Sequence, residues 1–160
     1  GNGDGIPDGQ QPNVETFRST SGNYVTLAAP NGVTLENVQS ITPPAGAPSG
    51  VTFPQGLIGF TATNLSSNGS ITVTLTFRTG TVPTDYWKYG PTADDNSDHW
   101  YKFAYDGTTG AEINGQTVTL HLVDGKRGDG DLTANGVISD PGGPGGAVQL
   151  QFLYLPQVAR

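Results

Sequence analysis

Two stretches of strict two-residue alternation, Ser70–Phe77 and Gln116–Val123, most constrain what this chain can fold into. In the first, Ile71, Val73, Leu75 and Phe77 fall on one side, and Ser70 with three threonines falls on the other. In the second, Val118, Leu120 and Leu122 oppose Thr117, Thr119 and His121. Successive strand side chains point to opposite faces, so each stretch reads as a strand with one buried and one wet face. Tyr24–Ala29, Val33–Val38 and Val148–Leu155 read the same way, with weaker strands at 12–19, 51–53, 57–63, 85–89 and 99–105. Asn-Gly pairs at 31–32, 68–69 and 114–115 signal hairpins between alternating runs. No 3.6-residue period persists for three turns. The expectation is an all-β, antiparallel two-sheet β-sandwich, a jelly roll being one such arrangement. Its expected core is Leu27, Leu35, Phe60, Ile71, Val73, Leu75, Phe77, Val118, Leu120, Leu122, Leu150 and Phe152. The Pro/Gly-rich run 42–50 reads as a loop inside the domain.

Gly128–Gly143 gathers hard oxygen ligands in a glycine-rich loop after a strand, which suits Ca²⁺ with its six to eight oxygens at about 2.3–2.6 Å. Asp129, Asp131, Thr133, Asn135 and Asp140 fall on positions one, three, five, seven and twelve of an EF-hand loop. Position six is Ala134, so the sharp-turn glycine is missing and EF-hand helices are not implied. Asp124 precedes the loop and joins the candidate ligands. A second cluster, Asn2, Asp4 and Asp8, opens the chain. A solvated turn is the alternative for both, since Asp, Asn and Gly are ordinary turn residues.

The opening residues resemble the calcium repeat of thrombospondin type 3, in which Asn-Gly, Asp-Gly, a hydrophobe, Pro and Asp follow one another. The resemblance marks 1–11 as a calcium-binding segment ahead of a β-sandwich domain at 12–160, with Ca²⁺ as cofactor. The upstream aspartates of such a repeat are missing, and a neighbouring chain or water would have to complete the site.

Net charge bounds the partners. Seven Lys and Arg against 14 Asp and Glu leave −7, which argues against nucleic acid because phosphates need clustered cations. With no cysteine there are no disulfides, zinc thiolates or cysteine nucleophiles. A loop-rich eukaryotic secreted domain would normally use disulfides, so a bacterial extracellular or cell-surface protein is expected. No apolar run is long enough to span a membrane as a helix. A chain opening at Gly1 without methionine reads as processed or excised from a longer protein.

Residues 83–103 hold a dense aromatic band, including Tyr86, Trp87, Tyr89, Trp100 and Tyr101, beside Asp94, Asp95, Asn96 and Asp98. This stretch and Val118–Pro144 together resemble the choice-of-anchor U domain of bacterial surface proteins. The resemblance implies an extracellular β-domain and no enzyme activity. Taken by themselves, the rings suit either a sugar site, with Tyr86, Trp87, Trp100 and Tyr101 as ligand-binding aromatics, or a core with Lys88 and Lys102 reaching solvent; the core reading is favoured. Asp94 and Asp95 are further candidate metal ligands, if loops at one end of the sandwich converge. His99 and His121 carry no nucleophile motif and read as structural.

The leading expectation is a non-catalytic, calcium-stabilised surface module with a structural, adhesive or filament-assembly role. A carbohydrate-binding module is the alternative and a hydrolase a third. The partners expected are copies of the chain joined head to tail through the 148–155 strand and the 2–8 site, or surface glycans.

Overall fold

The alternating stretches form strands that set the inner face of one sheet. A computed structural model describes residues 1–147; the expected strand 148–155 and the expected core residues Leu150 and Phe152 lie outside them. The strands are β1 (Val14–Arg18), β2 (Tyr24–Ala28), β3 (Thr34–Ile41), β4 (Val51–Thr52), β5 (Leu57–Thr63), β6 (Ser70–Phe77), β7 (Asp85–Thr92), β8 (Asp95–Lys102), β9 (Gly110–Asn114), β10 (Thr117–Val123) and β11 (Ile138–Ala147). Among the described residues the only helical element is a single 3-10 turn, Asp8–Gln10, so no helix is long and apolar enough to cross a membrane.

The protein is an antiparallel two-sheet β-sandwich. One sheet runs β1-β2-β6-β10-β9 and the other β3-β5-β11-β7-β8, with β4 pairing the end of β11. Leu27, Leu75 and Val118 stand side by side across β2, β6 and β10, and Val73 stands opposite Leu120. Facing them are Ile58, Phe60, Ala62, Tyr86, Phe103 and Ile138. The described core residues expected from alternation are buried, except Leu35, which packs partly buried against the cluster.

Two expected hairpins do not form. The Asn114-Gly115 turn joins β9 to β10 as expected. At Asn31-Gly32 and Asn68-Gly69 the chain instead crosses from one sheet to the other. A strand has two pairing edges. Those of β2 are taken by β1 and β6, and those of β6 by β2 and β10, so β3 and β5 pair with each other in the opposite sheet.

The larger difference is β11. The expected loop ran to Gly143, yet Ile138–Ala147 (Ile-Ser-Asp-Pro-Gly-Gly-Pro-Gly-Gly-Ala) forms a central strand between β5 and β7. Proline is tolerated because the pairing is staggered. Pro141 pairs only with β5, whose register ends at Gly142, and Pro144 pairs only with β7. Each therefore has one side on which its missing N–H is not needed. The glycines make room for neighbouring side chains: a Cβ at Gly142 would lie 2.6 Å from Tyr86 Cε1, and one at Gly145 would lie 2.6 Å from Trp87 Cδ1. Gly142→Ala is accordingly expected to cost about 1–3 kcal/mol through overpacking against the buried Tyr86, readable as a lowered urea midpoint.

Candidate functional site

The inner face of β7 carries a lysine. Tyr86, Lys88, Gly90 and Thr92 alternate inward and Asp85, Trp87, Tyr89 and Pro91 outward. Lys88 was expected to reach solvent; its side chain is 1% exposed instead, because the two-residue period places it on the same face as Tyr86. Lys102 does reach the surface, where it pairs with Asp85.

Ile138, Asp140 and Gly142 point inward from β11, and Gly142 is the register partner of Lys88. Asp140 is thus a diagonal neighbour of the lysine. Lys88 Nζ lies 2.6 Å from Asp140 Oδ1, donates to the Gly128 carbonyl, and sits 4.8 Å from the centre of the Phe103 ring. Burial pushes the lysine down from its ordinary value, with Asp140 opposing, and pushes the Asp140 carboxyl up. Burial likewise raises Asp129, and raises the Tyr86 phenol, whose hydroxyl has no hydrogen-bond partner.

The connection from β10 to β11 crosses between sheets and is held by its own acids. Asp124 is fully buried and accepts backbone N–H bonds from Asn68 (2.8 Å), Gly136 (2.9 Å) and Asn135 (3.2 Å). Burial acts to raise its carboxyl, and these donors outweigh it, leaving the group below its ordinary value. Asp129, also buried, accepts from Gly125 at 2.8 Å and Ser139 at 3.2 Å. Arg127 also lies over the Phe103 ring, 4.8 Å from its centre, and pairs with Asp106 at 2.8 Å. The N–H groups of Thr109 and Thr108, aided by Arg127, push Asp106 down to about 2.

This arrangement does not fit Ca²⁺. A calcium site turns several oxygens toward one point, but both oxygens of Asp124 and both of Asp129 face backbone N–H groups, and Asp140 faces an ammonium. Lys88 supplies the positive charge that faces Asp140. Asp131 and Asn135 are exposed and bind each other at 2.8 Å, while Asp131 also caps the Thr133 N–H. Among the described residues no group of three or more acidic or histidine side chains converges to hold a metal.

The other candidates lie apart. Asn2 and Asp4 bind one another, Asp4 accepts the Ile6 N–H at 2.8 Å, and Asp8 meets the Gly1 amino nitrogen at 3.4 Å. Asp94 and Asp95 are exposed at the β7–β8 turn, and Asp95 accepts from Ser97. Chelation is therefore expected to leave the melting temperature unchanged; a clear loss in a chelator, restored by millimolar calcium, would contradict this through linkage.

The aromatic candidates divide between the two faces. Tyr86 is 1% exposed in the core, so it is not available to a sugar. Tyr101 packs edge-on to Phe103 on the inner side. Trp87 and Trp100 lie on the outer face, where Trp100 stacks on Phe53 at 4.8 Å and meets Tyr89 edge-on at 5.3 Å. His121 pairs with Glu112 at 2.7 Å, and His99 contacts the Ser97 carbonyl.

Sequence reasoning missed Lys88 and Arg127, although a lysine alternating with Tyr86 in a strand was a readable signal for the first. No protein family model, curated protein or solved structure matches the chain.

Proposed function

We propose that this chain is a non-catalytic structural module of the bacterial cell exterior, braced internally by an ion pair rather than by calcium. The observation that carries the proposal is the use made of its buried charge. Lys88, Asp140, Asp129 and Asp124 tie the β10–β11 crossover to β7, β11 and the β5–β6 turn, with each buried group engaged in holding backbone or its counterion. Burying charge this way gives limited net stability but penalises any arrangement in which a partner is lost. Such a device suits a module that must keep one shape outside the cell. Placement outside the cell is supported by the acidic, cysteine-free composition and by the resemblance of 83–103 and 118–144 to a surface-protein domain. Antibodies against the folded domain should label intact, unpermeabilised producing cells or their medium; labelling that appears only after lysis would contradict the proposal.

A second reading, a carbohydrate-binding module whose partners are surface glycans, is favoured by the Phe53–Trp100–Tyr89 group on the outer sheet face. Pyranose C–H faces pack on such rings. Retention on insoluble polysaccharide that Trp100→Ala abolishes would support it, and no retention would remove it.

A further inference from the structure

We propose that Lys88 and Asp140 condense to an intramolecular amide, a covalent cross-link between the neighbouring strands β7 and β11. This inference goes beyond the structural role and stands whether or not the module lies outside the cell.

Four observations carry it. Lys88 Nζ is 2.6 Å from Asp140 Oδ1, and both side chains are closed to solvent, at 1% and 0% exposure. Despite that distance, neither Asp140 oxygen takes part in a hydrogen bond of acceptable angle, whereas the lysine does donate to the Gly128 carbonyl. The nitrogen therefore approaches the carboxyl group off the axis that a simple ion pair would adopt. The pair is enclosed by aromatic rings: Nζ sits 4.8 Å from the Phe103 centroid, and Tyr86 brings an unpartnered hydroxyl to the same inner face beside Gly142. Finally, both groups sit on paired strands of the sheet, so the backbone holds amine and carboxyl together.

The chemistry balances without a co-reactant. In a dry pocket the neutral pair is favoured over separated charges, so the ammonium proton passes to the carboxylate, leaving an amine and a carboxylic acid. The nitrogen lone pair attacks Cγ and forms the C–N bond. The nitrogen's surplus proton passes to the hydroxyl of the same carboxyl group. The C–O bond then breaks with its electron pair on oxygen, the carbonyl re-forms, and water leaves. Held amine and acid react with effective molarities that reach about 10⁵–10⁸ M in well-oriented pairs, and exclusion of water from the pocket opposes the reverse hydrolysis.

Mass spectrometry decides. The intact chain, kept folded at neutral pH, is expected to weigh one water less than its sequence. After denaturation and trypsin, Lys88 should remain uncut, with residues 79–102 joined to residues 128–160. Asp140→Asn should lose ammonia instead of water, and Lys88→Met should carry its full mass. A full-mass chain cut at Lys88 would overturn the proposal. So would a water loss that maps to an Asp-Gly pair such as Asp124-Gly125 or Asp129-Gly130 with Lys88 cleaved. The wild-type peptide map answers the question even if every variant fails to fold.

Discussion

Lys88→Met is expected to destabilise the domain by roughly 3–5 kcal/mol, the range for removing one partner of a buried pair. The substitution preserves much of the side-chain volume, so the loss is not a cavity effect. It leaves the Asp140 carboxyl among apolar groups without its counterion, and leaves the Gly128 carbonyl without its donor. The Asp140 carboxyl, already raised by burial with Lys88 opposing, then rises further. A group whose folded value lies above its unfolded value contributes stability below the unfolded value and loses it as pH rises through the folded one. The variant should therefore be relatively better at acid pH and worsen toward neutrality. The double variant Lys88→Met with Asp140→Leu should recover much of the loss, since both polar partners are then gone. Urea denaturation of the three proteins measures this. A single variant within about 1 kcal/mol of wild type would mean that the pair has no bracing role.

Leu120→Ala should cost about 2–5 kcal/mol. Leu120 is fully buried on β10, between β6 and the edge strand β9, opposite Val73 in β6 and Ala111 in β9. β6 is fixed from its other side by β2, and β10 carries ladders to both β6 and β9, so the space left by the lost methyls does not close by a simple shift of β10. A change near the bottom of the range would mark a core that relaxes, and the melting temperature would fall correspondingly less.

How far the fold can be read from the residues depends on how local the signal is. β6 and β10 announce themselves because one face is wholly apolar and the other wholly polar, and both lie inside one sheet with solvent on the far side. The pairing of strands is less legible. Asn31-Gly32 and Asn68-Gly69 are good turn formers, and what the turn joins is decided by which strand edges remain free. β11 is hidden for a different reason: its prolines and glycines argue against a strand locally, while staggered partners and the rings of Tyr86 and Trp87 make them the residues that fit.

The candidate site shows the same division. Acids in a glycine-rich loop were visible, and Asp124, Asp129 and Asp140 do gather at the β10–β11 crossover. What sequence spacing did not reveal was the counterion, since Lys88 lies 36 or more residues from each of them in the chain and meets Asp140 only through the sheet register. The same alternation that buries Tyr86 buries Lys88, and counting the face of β7 would have found it.

The most direct test of the central claim, that an internal lysine and not calcium braces this sandwich, is a crystal structure of the chain grown in millimolar calcium. The account predicts Lys88 Nζ held between the Asp140 side chain, as its counterion or as the amide formed from it, and the Gly128 carbonyl, with the oxygens of Asp124 and Asp129 on backbone N–H groups. A cation coordinated by Asp124, Asp129 or Asp140, with Lys88 turned away to solvent, would contradict it.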